Sequence, residues 1–219
     1  QQVGDRLAAL KVLAPRDGYK SWFAVWMAKV KTDNPATAEE GLAALRAIGQ
    51  GTDIPPVRTG AYAAIGSKLH VDKKNDEALA AWRKGLEIDP NEPELNNNVA
   101  YTLATEMGRP EEALPYAEKA AVSLQSNSSV LDTLGTVYLA MKKYDKAEQA
   151  LLKSQAYVTN ASERAAIYTH LAQLRVEQKN KGDANKYLGY VQDLIRRNEA
   201  VKSQFETEFK ALKSRVDAL

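Results

Sequence analysis

Few residues of this 219-residue chain have the types and spacing that chemistry needs. The two histidines, His70 and His170, are far apart, and neither lies in a His-Glu-x-x-His sequence, so no metal site is expected. The chain has no cysteine, which excludes disulfides, thiol nucleophiles and thiolate metal ligands. It also has no glycine-rich phosphate-binding motif. We therefore predict a protein that is not an enzyme and that uses no cofactor.

The residues that most suggest binding are the three asparagines Asn96–Asn98. Asparagine is unfavourable inside a helix, so a run of three indicates a role other than helix formation. Its side chain both donates and accepts hydrogen bonds, as the backbone of an extended peptide requires. The structural alternative is that one of them caps a helix that follows Pro93.

Composition narrows the possible partners. Hydrophobic residues make up 44% and charged residues 26% of the chain, and the net charge of +2 gives no reason to expect a nucleic acid. The longest apolar stretch, Trp22–Ala28, is far shorter than the roughly 20 residues that span a bilayer. We expect a soluble protein that does not insert into a membrane. The compartment stays open, because the absence of cysteine fits both a cytoplasmic and an exported protein.

Small residues recur at a fixed period and predict the elements that position these side chains. They stand at Ala78, Ala113 and Ala147, which are 35 and 34 residues apart, and the series extends to Ala184 after a slip of three residues. Each of the first three follows another small residue by twelve or thirteen positions; these earlier residues are Gly66, Ala100 and Gly135. A period of this length is typical of stacked helix-turn-helix repeats.

These positions resemble the tetratricopeptide repeat family, whose unit has large, apolar and small residues on helix A, then alanine, a large and a small residue on helix B, then proline. The best-matching residues are Tyr62, Ile65, Gly66, Ala78, Trp82, Gly85 and Pro90, and then Leu131, Leu134, Gly135, Tyr138, Ala147, Leu151 and Ser154. The resemblance implies an all-α, right-handed α-solenoid with terminal capping helices. It gives four repeats, at about 59–92, 93–127, 128–164 and 165–197, the second with one extra residue in its turn, Met107–Pro110.

Residues 1–58 are interpreted as N-terminal helices that form a partial and degenerate repeat. The chain is expected to begin inside a repeat, as part of a longer array or a larger protein. The positions that suggest this, by their match to a helix B and its closing proline, are Val3, Leu7, Leu10 and Pro15. The aromatic residues Trp22, Phe23 and Trp26 either plug the end of the solenoid, which we favour, or form a box that binds a ligand.

Residues 198–219 carry an apolar stripe with helical spacing. The favoured interpretation is a capping helix that covers the last repeat. The alternative is a docking helix through which a second copy binds, and one uninterrupted helix from the fourth repeat onward would favour it. The side chains that would form such a homo-oligomer are Phe205, Phe209, Leu212 and Val216.

The register of the family names a binding groove on the inward side of successive A helices. The residues predicted there, besides Ala63, are Ser67, Asn97, Asn98, Tyr101, Asp132, Thr136, Thr169, His170 and Gln173. Family members that bind a C-terminal carboxylate use Lys, Asn and Arg, whereas this chain retains only Asn98 at those places. We therefore predict a scaffold that binds a protein or peptide segment. The alternatives are a self-assembly module and a docking domain of a larger protein.

Overall fold

The computed structural model describes residues 16–219, with side chains from Lys20 onward. Within this range the chain forms α-helices and one π-helical segment, and no strand. The elements are α1 (Arg16–Thr32), α2 (Ala38–Gly51), α3 (Pro55–Val71), α4 (Asn75–Ile88), α5 (Pro93–Tyr101), the π segment (Thr102–Glu106), α6 (Pro110–Ser123), α7 (Ser128–Ala140), α8 (Tyr144–Tyr157), α9 (Ala161–Glu177), α10 (Lys181–Arg197) and α11 (Glu199–Asp217).

The chain divides into two compact units, Gln1–Leu95 and Asn96–Leu219, which we call the N-terminal and C-terminal units. The N-terminal unit contains the pairs α1/α2 and α3/α4, and the C-terminal unit contains α7/α8 and α9/α10. Alternate helices also pack together, α1 on α3 in the first unit and α7 on α9 in the second. Tandem helix pairs stacked in this way confirm the predicted fold class, an α-solenoid. The residues predicted to end an incomplete repeat, Val3, Leu7, Leu10 and Pro15, lie outside the described residues.

Within a pair, a small residue on one helix receives a large residue from the other. A Cβ atom added to Gly66 in α3 would lie 2.2 Å from Nε1 of Trp82 in α4. A Cβ atom on Gly135 in α7 would likewise lie 2.6 Å from Cγ of Leu151 in α8. Since a glycine inside a helix costs about 1 kcal/mol relative to alanine, the close approach is the physical reason for these two residues.

The turn between the two helices of a pair has the same backbone in four places. A residue with positive φ ends helix A and stands five positions before the buried alanine of helix B; these residues are Lys73, Gly108, Lys142 and Lys179. The Lys179 N–H donates a hydrogen bond to the Val176 carbonyl oxygen, and the Asn180 N–H donates one to the Arg175 carbonyl oxygen. These bonds satisfy carbonyl groups at the C-terminus of helix A. Only Gly108 is the residue type that this conformation favours.

This geometry predicts a stabilising substitution. Replacing Lys179 by glycine is expected to raise the free energy of unfolding by about 0.5–1 kcal/mol, because the steric cost of a Cβ atom at positive φ is removed. Urea unfolding followed by circular dichroism measures the change. The control is Lys153→Gly inside α8, which should lower the same free energy by about 1 kcal/mol. Equal losses in both variants would contradict the argument.

The extra residue of the second repeat lies in its first helix, and the predicted place in the turn is wrong. The turn keeps the five-residue spacing from Gly108 to Ala113, so it contains no insertion. The helix instead widens into the π segment, where the Met107 N–H bonds the Thr102 carbonyl at 3.1 Å, five residues back. A π turn absorbs one residue without breaking the helix, and such turns are frequent at functional sites.

The C-terminal stripe is covered by the chain itself. The helix breaks at Asn198, whose side chain accepts hydrogen bonds from the Ala200 and Val201 N–H groups, and α11 then packs on α9 and α10. Of the residues predicted to bind a second copy, three are buried and one is half-buried in this packing: Phe205, Leu212, Val216 and, half-buried, Phe209. This burial favours the capping interpretation of α11 over a docking role for these side chains.

Candidate functional site

The C-terminal unit contains a cleft of about 690 Å³, which we call the polar cleft. Its walls come from the end of α5 and the π segment, from α7, from α9 and from α11. The lining residues are Tyr101, Ala104, Thr105, Asp132, Thr136, Leu139, Ala140, Lys142, Ala166, His170, Gln173, Glu177, Gln204, Phe205 and Glu208. Five of them, Tyr101, Asp132, Thr136, His170 and Gln173, are residues that the sequence placed in the groove.

His170 connects α9 to α7 at the floor of the polar cleft. Its Nδ1 lies 2.8 Å from Oδ1 of Asp132 and 3.3 Å from Oγ1 of Thr136. The Thr136 hydroxyl donates to the Asp132 carbonyl oxygen at 2.9 Å, and a carboxylate only accepts, so Nδ1 of His170 carries the hydrogen. Both partners of the ion pair are largely buried, with side chains 18% and 17% exposed. The pair fixes the relative position of two cleft walls.

The pKa of His170 lies above its ordinary value. Burial lowers this pKa, but the charge of Asp132, the hydrogen bond to Asp132 and the charge of Glu208 outweigh burial and raise it. The imidazolium form is therefore retained to a higher pH than in an unfolded chain.

This shift predicts how stability depends on pH. The stabilisation is complete below the unfolded-state pKa of about 6.5 and is lost as the pH rises through the higher folded-state pKa. The free energy of unfolding should fall by at most about 1.4 kcal/mol per pH unit in that range. Urea unfolding at a series of pH values tests this: His170→Gln should remove the slope, and His70→Gln should retain it. A slope that persists in His170→Gln would disprove the assignment.

Tyr101 forms the other side of the polar cleft, where α5 passes into the π segment. Its side chain is 41% exposed. Burial raises the pKa of its phenol, the Thr105 hydrogen bond lowers it, and the charges of Glu106, Asp132 and Glu208 raise it, with an upward net result. The phenol thus stays neutral and offers a hydrogen-bonding tip on a flat apolar ring.

The third wall, on α11, was missed by the sequence analysis. Phe205 is buried at its base, and Gln204 and Glu208 lie on the same side of α11, four residues apart. The sequence contains a sign of this wall: Gln204 and Glu208 flank the apolar stripe of α11 at helical spacing, so they lie at the edge of the face that packs on another helix. This sign could not be read without knowing that α11 turns back onto α9.

Negative charge predominates in the polar cleft. Asp132 is paired with His170, and Glu177 is paired with Arg215 at 2.8 Å. Glu208 makes no ion pair with the described part of the chain, and Lys142 is the remaining cation of the lining. This balance suits a neutral or basic ligand better than a carboxylate.

The other predicted groove residues lie outside the polar cleft. Thr169 is 2% exposed and its hydroxyl donates to the Ala165 carbonyl oxygen, so its predicted place in the groove is wrong: it points into the helix packing. Asn97 and Asn98 are half-buried and do not line the polar cleft. Ser67 belongs to the N-terminal unit, where it is exposed and donates to the Ala63 carbonyl oxygen.

Residues 16–219 offer neither a metal centre nor a membrane-spanning helix. The described His, Asp and Glu side chains nowhere gather in a group of three that could hold a metal ion. Over the same range, each helix is too short or too polar to cross a bilayer.

Comparison with known proteins agrees with the fold and the periodicity. Residues 128–157, which contain α7 and α8, match the tetratricopeptide repeat family. The type IV pilus assembly protein PilF of Pseudomonas aeruginosa is 29% identical over 127 residues, which are 58% of this chain and 50% of PilF. The chain thus spans about half the length of this relative.

Two solved structures show the same fold. PilW, described as a widely conserved type IV pilus biogenesis factor, superimposes with a TM-score of 0.69 at 20% identity, over 90% of this chain and 88% of PilW. MamA from Desulfovibrio magneticus RS-1, residues 41 to the end, gives a TM-score of 0.66 at 17% identity, over 80% and 94% of the two chains.

Stacked helix pairs with interlocking small and large residues, and a cleft lined by alternate helices, define a helical-repeat scaffold. The repeat matched over residues 128–157 and the similar proteins support a relationship to the tetratricopeptide repeat family. Proteins built from tetratricopeptide repeats are in general protein-interaction scaffolds.

Proposed function

We propose that this protein is a non-enzymatic scaffold that binds a segment of a partner protein in the polar cleft. One observation carries the proposal: five groove residues named from sequence register, contributed by three separate stretches of chain, line one cleft of about 690 Å³. This volume falls within the range of natural ligand sites.

The lining offers what an extended segment needs. The amides of Gln173 and Gln204 each donate and accept, so they can satisfy the backbone groups of a peptide that leaves water. The Tyr101 ring gives a flat contact surface of low conformational entropy. Glu208 favours a neutral or basic segment, in contrast to the family members that bind a C-terminal carboxylate.

A paired substitution in the polar cleft tests this proposal. The partner is first recovered from the native cell with the tagged wild-type chain, and its affinity is then measured by calorimetry. Tyr101→Ala combined with Gln173→Ala should weaken binding at least about tenfold, since tyrosine is one of the residue types that dominate interface energies and the Gln173 amide supplies hydrogen bonds to the segment.

The matched control replaces the same two residue types outside the polar cleft. Tyr157 is 43% exposed and Gln155 is half-buried, both on α8, so the double alanine variant should bind the partner like the wild type. Wild-type affinity in the Tyr101/Gln173 variant, with an unchanged circular dichroism spectrum, would refute binding in the polar cleft.

The similar proteins favour a second, more specific role. PilF is a type IV pilus assembly protein and PilW is a type IV pilus biogenesis factor. We propose that the present scaffold also takes part in the assembly of a type IV pilus. Deleting its gene in the native cell should abolish or reduce surface pili in electron micrographs, and the wild-type gene should restore them. Normal pili in the deletion strain would rule out this role and leave the scaffold proposal untouched.

A further inference from the structure

The N-terminal unit contains a separate pocket of about 490 Å³, which we call the tryptophan pocket. Its residues come from α1, from the start of α3, and from the stretch that joins α4 to α5. They are Trp22, Pro55, Pro56, Thr59, Gly60, Ala63, Ile88, Asp89, Glu92 and Glu94. The tryptophan pocket and the polar cleft have no lining residue in common.

Trp22 is held in place by the absence of a side chain at Gly60. A Cβ atom at Gly60 would lie 2.7 Å from Cζ3 and 3.0 Å from Cη2 of the indole ring. Gly60 lies inside α3, where glycine is otherwise unfavourable. Its lack of a side chain allows the Trp22 ring to contact the helix backbone. Trp22 nevertheless remains 44% exposed, which leaves indole surface available to a ligand.

The charged groups of the tryptophan pocket are all carboxylates. The Asp89 carboxylate accepts a hydrogen bond from the Asn91 N–H at 3.1 Å, which orients it. The Glu92 carboxylate accepts a hydrogen bond from the Leu95 N–H. Glu94 is exposed and makes no ion pair with the described residues. The lining contains no Lys, Arg or His.

We propose that the tryptophan pocket binds an arginine side chain of a partner protein. A guanidinium is planar, stacks on an indole face and forms paired hydrogen bonds with carboxylates, which a lysine ammonium cannot match. The apolar surfaces of Pro56 and Ile88 suit the methylene groups of the arginine stem. None of the residues that line this pocket lines the polar cleft.

Nuclear magnetic resonance can test this site directly. The chain has three tryptophans, Trp22, Trp26 and Trp82, and their indole N–H signals are assigned from single Trp→Phe variants. The probe is the blocked peptide Gly-Ser-Arg-Arg-Ser-Gly at low salt. The Trp22 signal should shift in a saturable way, less with Lys and least with citrulline or Glu in place of Arg.

Two sets of variants separate the contributions of charge and ring. Asp89→Asn with Glu94→Gln changes exposed side chains only, so the fold is retained, and peptide affinity should fall about tenfold. Gly60→Ala should displace the indole and reduce affinity to a similar extent. The matched controls Glu39→Gln on α2 and Trp26→Phe on α1 should bind like the wild type.

Three results would overturn the proposal: a Trp22 signal that the arginine peptide does not move, equal shifts with the arginine and glutamate peptides, or wild-type affinity in the Asp89/Glu94 variant. None of them bears on the polar cleft, so the two proposals can fail separately.

Discussion

Replacing Trp82 with alanine is expected to lower the free energy of unfolding of the N-terminal unit by about 3–5 kcal/mol. The indole is 2% exposed, its Nε1 donates to the Ala63 carbonyl oxygen at 3.4 Å, and its ring lies beside His70 with centroids 5.8 Å apart. Removing it leaves a cavity between α3 and α4, where the ring packs against Gly66. Urea unfolding followed by circular dichroism measures the loss.

A second substitution tests whether Gly66 is required because its missing side chain makes room for the Trp82 ring. In the wild-type chain, Gly66→Ala should destabilise by about 1–3 kcal/mol, because the new Cβ overlaps the indole. With Trp82→Ala already present, the same change should stabilise by up to about 1 kcal/mol, the helix preference of alanine over glycine. Gly189→Ala in α10, with no atom within 4 Å of the new Cβ, should stabilise in either background. Equal destabilisation by Gly66→Ala in both backgrounds would contradict the interlock.

Replacing Val216 with aspartate is expected to cost about 3–5 kcal/mol, the penalty of an unpaired buried charge. Val216 is fully buried between α11, α9 and α10; its cluster contains Ala172, Val176, Ala184, Leu188 and Leu212. A free docking helix would tolerate this change and lose only self-association, whereas a capping helix loses stability. Thermal and urea unfolding of the variant distinguish these outcomes.

Leu219→Asp is the matched control for this experiment. Leu219 lies three residues further along and is 46% exposed, so the same new charge should change stability by less than about 0.5 kcal/mol. Sedimentation of both variants completes the test. A Val216→Asp chain of wild-type stability would show that α11 does not cap the last repeat in solution.

The interlocking pairs were predictable because they are local. Gly66 and Trp82 are joined by one short turn, and their sizes are complementary in any stack of such repeats, so residue type and spacing were sufficient. Thr169 was not predictable to the same accuracy. It neighbours His170, and a small change in the rotation of α9 about its axis decides which of the two faces the cleft.

The extra residue of the second repeat shows a related limit. The 35-residue spacing of Ala78 and Ala113 shows that an extra residue is present. Its location depends on whether insertion into a turn or into a helix costs less free energy. The turn at Gly108 has the same backbone as the turns of the other helix pairs, so the extra residue does not lie there. It lies in the π segment, which follows Tyr101. Only the hydrogen-bond pattern of the folded chain reveals this.

Residue types and spacing alone predicted the helical repeats, the helix pairs and five of the residues that line the polar cleft, because helix periodicity and size complementarity act within about 35 residues. The tertiary structure decided what depends on distant segments coming together. It placed α11 against α9 through the break at Asn198, which buried Phe205 and brought Glu208 to the polar cleft. It likewise set Trp22 on Gly60, since that contact depends on how α1 packs on α3 and not on any local pattern.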